Sequence, residues 1–126
     1  PNEISIRIVN RSPSAKKLTH DRAGGRSTRI PEIGGAGFIS IFLDRLDTIA
    51  DLMQMSIATV LGHVIAHEIG HLLLPQYSHS RRGIMQARLG RDDWQRASKG
   101  VLLFSKEQAR QILAGVRERQ IQIATN

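Results

Sequence analysis

His67-Glu68-Ile69-Gly70-His71 stands inside the most apolar stretch of the chain, Val60 to Leu74, and the rest of the sequence is arranged around it. From Thr48 to Leu74 the apolar residues Ile49, Leu52, Met53, Ile57, Val60, Leu61, Val64, Ile65, Ile69, Leu72 and Leu73 recur at steps of three and four, which predicts helix. Histidines four apart share one helical face about 6 Å apart along the axis. Two imidazoles at that spacing can hold one zinc ion, and Glu68 beside the first is placed to take a proton from zinc-bound water. With five histidines in the chain, shuffling produces the bare pattern about once in a hundred sequences. Two histidines and a glutamate on an otherwise apolar helix are costly unless paired or metal-bound.

Reading outward, Ser56 is a candidate N-cap that splits a short element from the main helix, and Pro75 ends it. Zinc needs a third protein ligand, and His79, beyond the Pro75 bend, is the candidate. His63 lies one turn before His67, yet its eight-residue separation from His71 amounts to about 12 Å along the axis, too far to share an ion. It reads as a packed or neighbouring histidine, Trp94 as a packing anchor and His20 as a loop residue. Residues 75–100 are loop-rich. Ser105 with Gln108 forms a capping box opening a last helix, with Phe104 and Ala109 as its staple and Ala109, Ile112, Leu113 and Val116 as its buried stripe. Upstream, Ile4–Val9 alternates as a half-buried strand, residues 10–37 read as a long loop with a short strand near Arg29–Ile33, and Gly37–Leu43 reads as a second strand.

His67-Glu68-Ile69-Gly70-His71-Leu72-Leu73-Leu74, then His79-Ser80, then Gly83-Ile84-Met85, resembles the zincin metallopeptidases of the metzincin clan, in particular small bacterial members. The resemblance runs from about Phe38 to Val116 and is specific from Gly62 to Met85. It implies an α+β, zincin-like fold with a small mixed sheet, a central zinc helix and a C-terminal helix. It implies His67, His71 and His79 as Zn2+ ligands, Glu68 as general base and acid, and Met85 as the methionine of a tight turn beneath the zinc. As ordinary core filler Met85 would need no such role. The chain departs from the family at Leu74, where a glycine is usual, and at Tyr77, the usual place of the third histidine. Because other zincins use a later acidic ligand, Asp92 and Asp93 are alternatives to His79, with Glu107 behind them. Tyr77 either stabilises the transition state, as tyrosines do in some metzincins, or covers the turn. A close backbone approach, such as that turn, would account for Gly70 inside a helix.

The resemblance further implies a peptide or protein substrate, laid along an edge strand for which Phe38, Ile39, Ser40, Ile41 and Phe42 are the candidates. Residues after Met85, toward Leu102, would line a specificity pocket. A secreted or periplasmic location goes with the family. One domain is expected over residues 1–126, with 1–46 as the upper sheet portion, 47–74 as the zinc helix and 75–126 as the lower portion. Family members carry a further strand and helix ahead of Ile4, so an N-terminal truncation that binds zinc and cleaves poorly is also an expectation.

Composition is consistent with these readings. The 126 residues suit one core, and 40% apolar content is too high for a disordered tail. The absence of cysteine excludes disulfides, thiolate zinc sites, iron–sulfur clusters and a thiol nucleophile. No apolar run is long enough to span a membrane. The net charge of +7 raises nucleic acid as a partner. Against it, no Lys or Arg occurs between Leu46 and Ser80, and no nucleic-acid motif or aromatic interleaving accompanies the basic block Arg81–Lys99. A solvated basic surface is the simpler reading, and no nucleic-acid partner is expected.

Overall fold

The computed structural model describes residues 3–11, 24–30, 36–75 and 78–125. Three strands, β1 (Ile4–Val9), β2 (Gly25–Ile30) and β3 (Ala36–Phe42), are followed by four helices, α1 (Leu43–Met53), α2 (Ile57–Leu73), α3 (Arg91–Ser98) and α4 (Lys106–Thr125). The class is α+β with a small mixed sheet, as the sequence predicts.

The sheet order is β1-β3-β2. β3 runs parallel to β1, with Ile6 opposite Ile39, and antiparallel to β2, with Ser27 opposite Ile39. This corrects the expectation for Phe38–Phe42. These residues form the central strand, and their backbone groups are taken by ladders on both sides, so they offer no edge for strand addition. The antiparallel outer strand is β2, which begins four residues before the short strand expected at Arg29–Ile33.

Ile39 and Ile41 point from β3 into a core shared with Leu46 and Ala50 of α1 and Val60, Val64 and Leu72 of α2. β1 lies at the other margin. Its isoleucines share that face, but Ile6 and Ile8 stay exposed and only Ile4 packs against the core.

The helical run begins earlier than its periodicity suggests. α1 starts at Leu43, directly after β3, so the boundary at residue 46 falls inside a helix. Gln54, in a left-handed conformation, ends α1. Ser56 then caps α2 by accepting from the Thr59 N–H at 3.3 Å, the split its side chain predicts.

α3 lies where the sequence reads as loop. Asp93, its third residue, accepts from the Gly90 N–H at 2.9 Å, and Trp94 and Ala97 anchor it in the core. α4 opens on the predicted box: the Gln108 N–H donates to Ser105 at 3.1 Å, and the Ser105 N–H to the Gln108 side chain at 2.8 Å. Its inward face is displaced from the expected stripe. Ala109 and Leu113 are exposed, while Gln108 is buried and Ile112 and Val116 are half-buried. Among the described residues no helix is long and apolar enough to cross a membrane.

Candidate metal centre

α2 supplies two of the three histidines, and the chain doubling back after Pro75 supplies the third. The ring centroids of His67 and His71 lie 4.7 Å apart, those of His71 and His79 4.7 Å, and those of His67 and His79 5.6 Å. One ligand nitrogen from each falls within 4.8 Å of the others, so the three can hold a metal ion. Nitrogens bound tetrahedrally to zinc stand about 3.4 Å apart. The Nε2 atoms of His67 and His71, at 3.1 Å, already match that spacing, and His79, exposed on its loop, closes the set with a small inward movement.

Two contacts aim the rings. His67 Nδ1 donates to the Ile84 carbonyl at 2.6 Å. A carbonyl only accepts, so this bond keeps the proton on Nδ1 and turns the Nε2 lone pair toward the other histidines. His71 Nδ1 lies 2.9 Å from the Ser78 hydroxyl. A hydroxyl can donate or accept, so Ser78 serves His71 in either tautomer.

The electrostatics favour neutral rings. Burial lowers the His67 pKa, against the raising effect of its Ile84 bond, and the nearby His79 lowers it further. Burial, then His67 and His79, hold His71 down at about 4. Neutral imidazole is the form a metal binds.

The floor of the site is the turn at residues 83–86, where the Gln86 N–H donates to the Gly83 carbonyl at 3.3 Å. Gly83 takes φ +79°, and a side chain there would collide with the Leu103 carbonyl. Met85 is fully buried. A Cβ at Gly70 would stand 2.5 Å from the Met85 sulfur and 3.0 Å from the Phe104 ring. The close approach expected at Gly70 is therefore made by side chains rather than by another backbone.

Glu68 is 3% exposed and lines a cavity of about 960 Å³ together with His67. Gln86, Ala87, Arg88, Leu89, Gly90 and Trp94 form one wall, in the segment expected to line a pocket. β2 passes over the same carboxylate, and a Cβ at Gly25 would sit 3.2 Å from Glu68 Cγ.

The acidic alternatives for the third ligand are not brought to the cluster. Asp93 binds the Gly90 N–H, the Gln86 amide at 2.8 Å and Arg96 at 3.2 Å, all within the capping of α3. Asp92 is exposed, and Glu107 pairs with Arg110 on α4. His63 is a packed histidine: its Nδ1 donates to the Thr59 carbonyl at 2.7 Å and its ring meets Trp94 edge-on. Tyr77 and His20 lie outside the described residues.

Sequence reasoning misses Ser78, because a lone serine carries no pattern. It also misses the second cavity wall on α1, whose apolar residues read simply as core. Compared with models of protein families, with curated proteins and with solved structures, the chain matches none.

Proposed function

We propose that this protein is a zinc-dependent metallopeptidase that cleaves internal peptide bonds. The observation that carries the reading is the placement of the buried Glu68 on the cavity wall, next to a convergent His67–His71–His79 set. The all-imidazole donor set suits zinc, and three protein ligands leave a position open for chemistry. Zinc bound there would supply a Lewis acid that polarises the scissile carbonyl and makes water acidic enough to ionise near neutral pH.

The chain's own groups do the rest. His67 and His71 orient the ion through rings fixed by Ile84 and Ser78. Glu68 accepts the proton of the attacking water and delivers it to the departing amine. β2 replaces β3 as the strand along which an extended peptide pairs, since it is the outer strand and passes over Glu68. Met85 supports the ligand helix from beneath through its contact with Gly70.

The test is cleavage of an unfolded protein substrate by zinc-loaded wild type and Glu68→Ala, with zinc content measured on both. The expected outcome is full zinc in both and cleavage lost in the variant by about a hundredfold or more. Equal cleavage by the two would refute the role of Glu68. Zinc bound without cleavage by wild type would leave a metal-binding domain and no peptidase.

A further inference from the structure

The wall of the cavity opposite residues 86–94 belongs to α1, a helix that supplies no metal ligand. Its lining residues Arg45, Thr48, Ile49, Leu52 and Met53 fall at i, i+3, i+4, i+7 and i+8, a single stripe of the helix. The core-facing residues of α1 are different ones, Leu46 and Ala50. α1 thus carries two inward faces, one packed into the core and one turned to the cavity. The second face is polar in its first half and apolar in its last turn, where Leu52 is 64% exposed.

Leu89 and Trp94 face this stripe across the cavity, and Val64 joins it from α2. A large leucine left open in a cleft costs solvation free energy unless something covers it. The same cavity reaches His67 and Glu68, so a peptide held there for cleavage runs past the stripe. Its volume falls within the range of about 300–1,000 Å³ typical of ligand pockets.

We propose that this trough is the selectivity subsite of the peptidase and takes a large apolar side chain, leucine-like or aromatic, from a residue flanking the scissile bond. The inference rests on the peptidase reading above. Ile49, Leu52, Met53 and Leu89 grip that side chain, and Trp94 closes the end of the trough. Selectivity is then set from α1 as well as from the segment after the metal ligands. The exposed Leu52 is the residue whose replacement changes the preference without disturbing the core.

Trp94 is the single tryptophan of the chain, which gives the trough its own optical probe. The experiment uses amidated alanine-based hexapeptides with glycine, leucine, phenylalanine or glutamate at one varied position. Cleavage is followed with zinc-loaded wild type, and binding through Trp94 emission in zinc-loaded Glu68→Ala. Leucine and phenylalanine peptides are expected to exceed the glycine peptide about tenfold or more in kcat/KM and to shift Trp94 emission where the glycine peptide does not.

In Leu52→Arg the leucine-to-glycine ratio is expected to collapse and the glutamate peptide to gain. A ratio is unaffected by partial loss of folded protein. Ile49→Ala checks the neighbouring position and is expected to shift the preference from leucine toward phenylalanine. Cleavage without apolar preference, or a preference unmoved in Leu52→Arg, would overturn the subsite while leaving the peptidase intact. Absence of cleavage of every peptide, with no Trp94 response, would overturn both.

Discussion

The ring of His71 is held between a donor-acceptor hydroxyl and two other imidazoles, and its chemistry follows from that position. Ser78 fixes the ring plane, so Ser78→Ala is expected to weaken zinc binding about 10- to 100-fold in a chelator competition. Ser78→Thr, which keeps the hydroxyl, is expected to restore most of it. Acid acts on the same residues. An unfolded chain holds these imidazoles near 6.5, whereas the folded protein lowers His67 and brings His71 to about 4. Below pH 6.5 the unfolded state therefore binds more protons, and stability is lost as pH falls from 6.5 toward 4. Calorimetry of metal-stripped protein is expected to show a lower Tm at about pH 5 than at about pH 7, and a smaller drop in His71→Asn. His67, Glu68 and His71 are legible in the sequence because helical spacing alone places them together. His79 is legible as a histidine just past a proline bend. Ser78 is not, since its role exists only once that bend has brought it back to the helix.

α2 carries two glycines with opposite surroundings. Gly62 is exposed, and a methyl added there would meet nothing within 4 Å, whereas a methyl at Gly70 meets Met85 and Phe104. Gly62→Ala is expected to stabilise the protein by up to about 1 kcal/mol through helix propensity. Gly70→Ala gains the same propensity and loses it to overpacking, with a net cost of about 1–3 kcal/mol. Chemical denaturation of both variants checks the pair of signs. Signals written in adjacent residues are readable at this scale: the Ser56 cap and the Ser105–Gln108 box are both present. α3 escapes notice because Trp94 and Ala97 are its only buried residues, too few for a period, and its capping aspartate also suits a loop. The inward face of α4 is displaced by one position because a polar residue, Gln108, takes the buried place where the pattern seeks an apolar one. The cavity stripe of α1 is unreadable for a different reason. Apolar residues facing a cleft and apolar residues facing a core obey the same period.

Strand order is a property of the whole chain, and there the sequence has least to say. Phe38–Phe42 carries the mixed pattern of a strand either enclosed or marginal, and only pairing with segments far away in the chain makes it central. β1 pairs with β3 across residues about a quarter of the chain apart, Ile6 opposite Ile39. The metal ligands are the reverse case. His67, His71 and His79 span thirteen residues, and the Ile84 carbonyl that orients the first of them follows closely. Closing so short a loop costs little chain entropy, whereas the parallel pairing of β1 with β3 must wait for a long one. Zinc is therefore able to gather the end of α2 and the following bend before the sheet exists. The ion then acts as a folding nucleus as well as a resident of the finished site. In stopped-flow refolding, zinc added at the start is expected to raise the rate of the main phase. His79→Ala is expected to remove that acceleration, and zinc added only after refolding should leave the rate at its metal-free value.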